Sequence, residues 1–348
     1  MQADQPITPT SNALPVLEDS LVAAVERVIG AAVSANTTRA YNAAFAKYCA
    51  WCVRRGIAPM PASPAVVATF LVDLAETGGT GRGRPRKLST IALALSAIAA
   101  KHRDLDLPFE VRAPALRVAL KGLRRTHAAP QAQAAALRPT MIRDILRELK
   151  DSPIDRRDGA LLALLFAGAL RRSELAGLDY DQPGVGDGYL QLSEVAVEIV
   201  LLRSKSRTEV ETVRIPRADN PGLVYALERW IATGDVQPGT PLFRSIGKGG
   251  HVGAKRISEK GVSLVVKARV AKHLVGKGLT RAAADTEASR YSGHSGRVGL
   301  YVACSEAGVP IEAVAALARH KSLHVAQKYA RHADQLRRAP SKNTAVAI

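Results

Sequence analysis

The chain has 348 residues, enough for two domains with hydrophobic cores of their own. Lys and Arg total 49 against 31 Asp and Glu, a net charge of +18, which points to a polyanionic partner, nucleic acid first; a basic protein with merely solvated faces is the plain alternative. The opening MQADQPITPTSNALP lacks the basic and apolar regions of a signal peptide, and no uncharged apolar run reaches the roughly 18 residues of a membrane span, so neither export nor a membrane partner is expected.

Residues 1–16, rich in Pro, Thr, Ser and Asn, read as a flexible tail. A helical domain is predicted over 17–126. LEDSLVAAVERVIGAAV carries apolar residues at helical spacing. Asn36 or Thr37 is the expected cap of the next helix, which contains Arg39 and ends at Gly56. Cys49 and Cys52 on that helix form a C-x-x-C, the spacing of a redox pair or half a zinc site. Cys304 is the only other cysteine, so the two read as packing thiols in a reducing, cytoplasmic compartment, with no metal and no cofactor. Ser63-Pro64 has the N-cap and N1-proline arrangement that opens a third helix. Ser89 is the expected cap of a fourth, and a fifth runs from about Pro114 to Arg125.

Between the third and fourth helices lies GGTGRGRPRKLS. Arg82-Gly83-Arg84-Pro85 resembles the R-G-R-P of AT-hooks, flat segments that enter the narrow minor groove of A·T-rich DNA. A four-residue match is weak in a basic, glycine-rich loop. The favoured reading is a phosphate-contacting loop presenting Arg82, Arg84, Arg86 and Lys87.

Residues 127–139, HAAPQAQAAALRP, have the Ala/Gln composition and flanking prolines of an interdomain linker. A second domain is expected over 140–348. It opens with an amphipathic helix, MIRDILREL, followed by a very apolar one, GALLALLFAGAL, that should be buried. VAVEIVLL and VETVRIP are β-type runs on either side of a charged stretch with Arg203, Lys205 and Arg207, which suggests a hairpin. Further helices are read in NPGLVYALERWI, SEKGVSLVVKARVAKHL, GRVGLYVACSEAG and PIEAVAALARH. Val275–Ser289 is expected to be a loop.

A group of residues in this domain suits an anionic phosphodiester. Without a metal, cleavage of that bond requires charge neutralisation on the nonbridging oxygens, a nucleophile, and a proton for the departing 5′-oxygen. A guanidinium donates two parallel hydrogen bonds to two phosphate oxygens, and Arg171 and Arg297 are candidates for that clamp. Arg172 sits beside Arg171, but neighbouring helical residues face different ways, so only one of them can join it. Lys205, at the expected hairpin tip, is a mobile proton donor, and Tyr329 is the candidate nucleophile. His320 and His324 have the spacing of a helical metal pair. No acidic or cysteine ligand is nearby, so a metal site is unsupported.

LRRSELAGL around Arg171, the phrase YSGHSGRVG around His294 and Arg297, and the ARH…Y run through His320 to Tyr329 together resemble the tyrosine recombinases (phage integrase family), especially Cre-like members. The resemblance covers both domains. It implies a mainly α fold with a small β-hairpin or sheet, made of an all-helical SAM-like core-binding domain and an α+β catalytic domain that together clamp DNA. Residue by residue, Arg171 matches the first catalytic arginine, Glu174 the acidic residue supporting the site, Lys205 the hairpin lysine, and His294 and Arg297 the H-x-x-R pair. His320 matches the His/Trp position and Tyr329 the nucleophile.

The family implies a homotetramer on two specific sites in double-stranded DNA, from a protein that is monomeric in solution. It also implies a 3′-phosphotyrosyl intermediate and a Holliday junction, with no ATP or metal. The tail HADQLRRAPSKNTAVAI would dock on a neighbouring subunit; a frayed terminus is the alternative. One departure stands out. Arg319 occupies the place where the family usually has glycine before the second histidine, which would either add a cation near DNA or alter the local turn. A catalytically silent DNA-binding protein and a relaxase of the type IB topoisomerase kind are the competing readings.

Overall fold

A computed structural model describes residues 35–81, 83–128, 133–202, 210–319 and residue 327, and divides the chain into two compact units, Met1–Gln131 and Ala132–Ile348. The expected tail over 1–16, the helix read over 17–33 and the C-terminal tail lie outside the described residues. The chain is mainly helical with small sheets, as its sequence patterns and motifs led us to expect. No described helix is long and apolar enough to cross a membrane.

The described part of the first unit holds four helices: α1 (Ala35–Val53), α2 (Pro64–Thr77), α3 (Leu88–Asp104) and α4 (Pro114–Thr126). α2 begins as its sequence dictates, with the Ser63 hydroxyl accepting from the Val66 N–H and Pro64 in the first turn, and it ends at Gly78 in the left-handed conformation. Two expected caps are corrected. Asn36 and Thr37 lie inside α1, where Asn36 Oδ1 accepts from the Arg39 guanidinium at 2.7 Å. α3 starts at Leu88 with Lys87 in the cap position, so Ser89 falls in its first turn. The cause is upstream: the Arg86 N–H donates to the Leu74 carbonyl at 3.2 Å, which fixes where the chain turns into the helix.

Tyr48, Trp51, Phe70, Leu71, Leu74, Ile91, Ile98 and Leu116 form this unit's core. Each buried side chain of this size contributes roughly 1.5–3 kcal/mol of transfer free energy. The Trp51 indole N–H still finds a partner, Asp73 Oδ2 at 2.6 Å. His102, also buried, accepts from the Ala62 N–H through Nε2 at 2.9 Å, so its proton sits on Nδ1, 2.8 Å from the Ile98 carbonyl. Cys49 and Cys52 are free thiols, and Cys52 is buried in the same core.

The second unit is built around α6 (Pro153–Ala167), which follows α5 (Pro139–Glu148) and is almost entirely buried. A short α7 (Arg172–Ala176) leads into a four-stranded sheet of β1 (Leu178–Tyr180), β2 (Gly188–Leu192), β3 (Ala196–Leu201) and β4 (Glu211–Pro216), in that spatial order. β3 and β4 pair antiparallel with Ala196 opposite Pro216 and Leu201 opposite Glu211, and Val197, Ile199, Leu201, Val213 and Ile215 face the core. The connection carrying Arg203, Lys205 and Arg207 lies outside the described residues. α8 (Pro221–Gly234) packs on α6, and its Trp230 N–H donates to the Leu242 carbonyl at 2.7 Å. A two-stranded ribbon, β5 (Arg244–Ile246) and β6 (Val252–Arg256), then leads to α9 (Glu259–Gly276).

Val275–Ser289 is not the loop its composition suggests. It contains α10 (Arg281–Ala288), capped by the Thr280 hydroxyl, with Ala284 and Ala288 buried where the helix packs beside α9. Alanine gives a weak hydrophobic pattern, so the helix is held by tertiary burial rather than by an apolar stripe. α11 (Ser295–Glu306) and α12 (Ile311–Leu317) complete the described part. Arg269 of α9 donates to Asp158 at 2.7 Å and pairs with Asp155, both on α6, so α6 and α9 are pinned by buried ionic hydrogen bonds.

Candidate active site

The site starts where α6 ends. The chain turns through Gly168 and Ala169, the latter at φ +43, and delivers Arg171 to the N-cap of α7. The Arg171 N–H donates to Glu174 Oε2 at 2.8 Å, and its guanidinium pairs with Oε1 of the same carboxylate. A five-residue helix thereby closes on itself and fixes the arginine's root. The guanidinium is still a quarter exposed. Arg172 points elsewhere: its side chain lies over Gly293 and reaches Glu259 at 3.1 Å.

Arg297 arrives on α11, and the glycines around it explain how. A Cβ on Gly296 would stand 2.9 Å from the Leu165 carbonyl oxygen, and one on Gly299 would collide with the Leu137 carbonyl. Small residues let α11 lie against α6 and against residues 133–138, where the Leu137 N–H donates to the Ser295 carbonyl at 3.0 Å. Ahead of the helix, Ser292 and Ser295 lock the loop, the Ser292 N–H donating to Ser295 Oγ at 2.9 Å. Arg297 is only 1% exposed. Its Nη1 donates to the Ala318 carbonyl at 2.6 Å, and Nη2 lies 3.8 Å from Glu174 Oε2.

Glu174 is thus the hub. Its carboxylate takes Arg171, Arg297 and a third guanidinium, Arg319, whose Nη2 donates to Oε2 at 2.8 Å. Burial alone would push its carboxyl up, but the Arg319 charge and the N–H and guanidinium of Arg171 outweigh it and hold the group below the ordinary range. His294, at the N-cap of α11, reaches solvent yet has dense protein behind it. Burial, then the charges of Arg297, Arg171 and Arg172, pull its pKa down to about 4, so the imidazole is neutral at physiological pH.

Arg319 corrects an expectation. Its backbone takes φ +52, the left-handed region that glycine occupies without cost, and its side chain is buried, so it adds no cation at the surface. Sequence reasoning did not place it or Glu211 in the site; the only signal was a bulky residue standing where a glycine is usual.

Arg171, Glu174, Arg297 and His294 are therefore brought together, while Lys205, His320 and Tyr329 lie outside the described residues. Among the DNA-contact candidates, Arg39, Arg84, Arg86 and Lys87 are exposed on the first unit, whereas Arg82, Arg203 and Arg207 lie outside the described residues. The loop of Arg84 is folded back on α2, since a Cβ on Gly78 would stand 2.5 Å from the Arg84 carbonyl oxygen.

Residues 135–336 match the phage integrase family, well over half of the chain. The chain belongs to that family, the tyrosine recombinases. Among its relatives is an integrase/recombinase xerD homolog of Selenomonas ruminantium, 29% identical over 306 residues that cover 84% of this chain and 81% of that protein. The recombinase cre of Escherichia phage P1 is 26% identical over 297 residues, covering 82% of this chain and 81% of its own length. Among solved structures, the Tn1549 transposon integrase in complex with transposon right end DNA superposes with a TM-score of 0.50 at 17% identity, covering 82% of this chain and 88% of that one. This last likeness is one of fold.

Proposed function

We propose that this tyrosine recombinase cleaves and rejoins DNA at specific sites, with Tyr329 as nucleophile and Arg171 and Arg297 as the phosphate clamp. The phenol oxygen of Tyr329 attacks the phosphorus, the bond to the 5′-oxygen breaks, and the 3′-phosphate remains on the tyrosine. Lys205 supplies the proton that the departing 5′-oxygen takes up. His294, held neutral, is in the protonation state that a proton acceptor for the phenol needs. Attack by the partner strand's 5′-hydroxyl reverses the chemistry, and the bond energy is conserved throughout.

The observation that carries this reading is the meeting of Arg171 and Arg297, from elements far apart in sequence, on the single carboxylate of Glu174. That arrangement fixes two guanidinium groups against one another before any phosphate arrives, as electrostatic preorganisation requires. His320 would take the His/Trp position beside them. A tetramer holding two sites, each made of double-stranded DNA, provides the partner strands, and the basic composition suits a cytoplasmic protein associated with the nucleoid. The exposed Arg39, Arg84, Arg86 and Lys87 would contact DNA from the helical unit, with Arg82, Arg203 and Arg207 as further candidates.

A suicide substrate nicked beside the scissile phosphate tests the chemistry. Wild type is expected to accumulate covalent protein–DNA, and Tyr329→Phe to form none. Arg171→Ala and Arg297→Ala should abolish the adduct while DNA affinity stays within about threefold, because other cations carry binding. Binding without an adduct in wild type would overturn cleavage in favour of a silent DNA-binding protein. Adduct without joined product between two sites would leave a relaxase.

A further inference from the structure

We propose that Arg319 is a positioning residue for the cleavage reaction: it bolts the turn that carries Arg171 and Glu174 to the foot of β4. The inference rests on the function proposed above. Four groups from two separate parts of the fold, residues 168–174 and the start of β4, converge on this one guanidinium. Nη1 donates to the Gly168 carbonyl at 3.0 Å, and Nη2 donates to the Ala169 carbonyl at 3.3 Å and to Glu174 Oε2 at 2.8 Å. On its other side, Nε lies 3.7 Å from Glu211 Oε2. The residue's own carbonyl accepts from Arg171 Nη2 at 3.4 Å. Arg319 therefore touches the first clamp arginine through its backbone and that arginine's carboxylate partner through its side chain.

Burial makes the bridge costly to break from one side. The side chains of Arg319, Glu174 and Glu211 are 7%, 4% and 12% exposed, so water screens these charges little. Removing Arg319 would take one buried cation away from both carboxylates. The backbone agrees with the side chain: Arg319 and Ala169, both non-glycine residues at positive φ, are joined by one of these hydrogen bonds. Left-handed backbone in such residues persists where the surroundings over-determine it.

The consequence lies in what each end carries. Glu211 is the first residue of β4, on the strand that leaves the connection bearing Lys205, and Arg319 directly precedes His320 in the chain. Arg319 thus fixes one leg of the hairpin against the element that holds Arg171. A glycine at this position would adopt the same backbone but tie nothing together.

Arg319→Gly, Arg319→Lys and Glu211→Gln test the bridge by two readouts. On the nicked substrate at saturating DNA, Arg319→Gly should cleave roughly 10- to 100-fold more slowly with affinity within about threefold, as expected for sub-ångström misplacement. Glu211→Gln should lose less, and Arg319→Lys should recover part of the rate because it keeps the charge but not the fork. Hydrogen exchange of the free protein should accelerate about tenfold at residues 211–213 and 168–171 in both Arg319→Gly and Glu211→Gln. Either readout unchanged overturns the proposal, as does a rate loss explained wholly by weaker binding. If Arg319→Gly fails to fold, Glu211→Gln and Arg319→Lys answer by the same measures. Absence of adduct in wild type would sink the cleavage reading, while exchange would still report on the bridge.

Discussion

At the scale of single residues, His294 and Glu174 set the charge state of the proposed site. His294 is pulled to about 4 by burial and by the neighbouring Arg297, Arg171 and Arg172 charges. In the unfolded chain it returns to about 6.5. Between those values the unfolded state binds a proton that the native state does not, so stability rises with pH across the window and is lost as pH falls through it. Glu174, held below its ordinary range, adds a loss in the same direction at more acidic pH, as its carboxylate protonates. Urea unfolding at a series of pH values should show the His294 contribution as a slope between about 6.5 and 4 that flattens in His294→Asn. An imidazole titrating at its ordinary pKa in the free protein would contradict the cationic neighbourhood described here. The motif letters named His294, Arg297, Arg171 and Glu174, whereas their mutual charges became legible only once α7 and α11 had been placed side by side.

At the scale of elements, the approach of α11 decides whether Arg297 reaches Glu174. Gly296 and Gly299 are spaced to lie on one helical face, and each meets backbone oxygen where a side chain would stand. Gly299→Ala should force α11 off residues 133–138, costing about 1–3 kcal/mol by overpacking. Cleavage should fall more than stability alone explains, because Arg297 moves with the helix. Full cleavage by a protein with an unshifted melting temperature would show that the contact is slack. α10 teaches the complementary lesson. Its buried face is alanine, which carries little apolar signal, so the helix escaped sequence reading although Thr280 caps it in an ordinary way. β1, β2, β5 and β6 were missed for a related reason: strands of three to five residues are defined by the neighbours they pair with.

At the scale of the whole molecule, a net charge of +18 means that phosphate contacts should dominate affinity for DNA. If six to ten phosphates are neutralised, site binding should weaken by about a thousandfold or more between roughly 50 and 200 mM salt. A change of less than about tenfold, followed by gel shift or anisotropy, would assign the excess charge to solvated faces instead.

By itself the sequence pointed to the family, to a mainly helical fold and to the β3–β4 pair, and it named the residues proposed to carry the chemistry, because hydrophobic spacing and short motifs are written locally along the chain. Only the tertiary structure decided that Glu174 gathers three guanidinium groups, that His294 is neutral, and that Arg319 turns inward rather than toward solvent. Those outcomes depend on burial and on charges brought together from opposite ends of the second unit, and the low dielectric of a folded interior sets the strength of each.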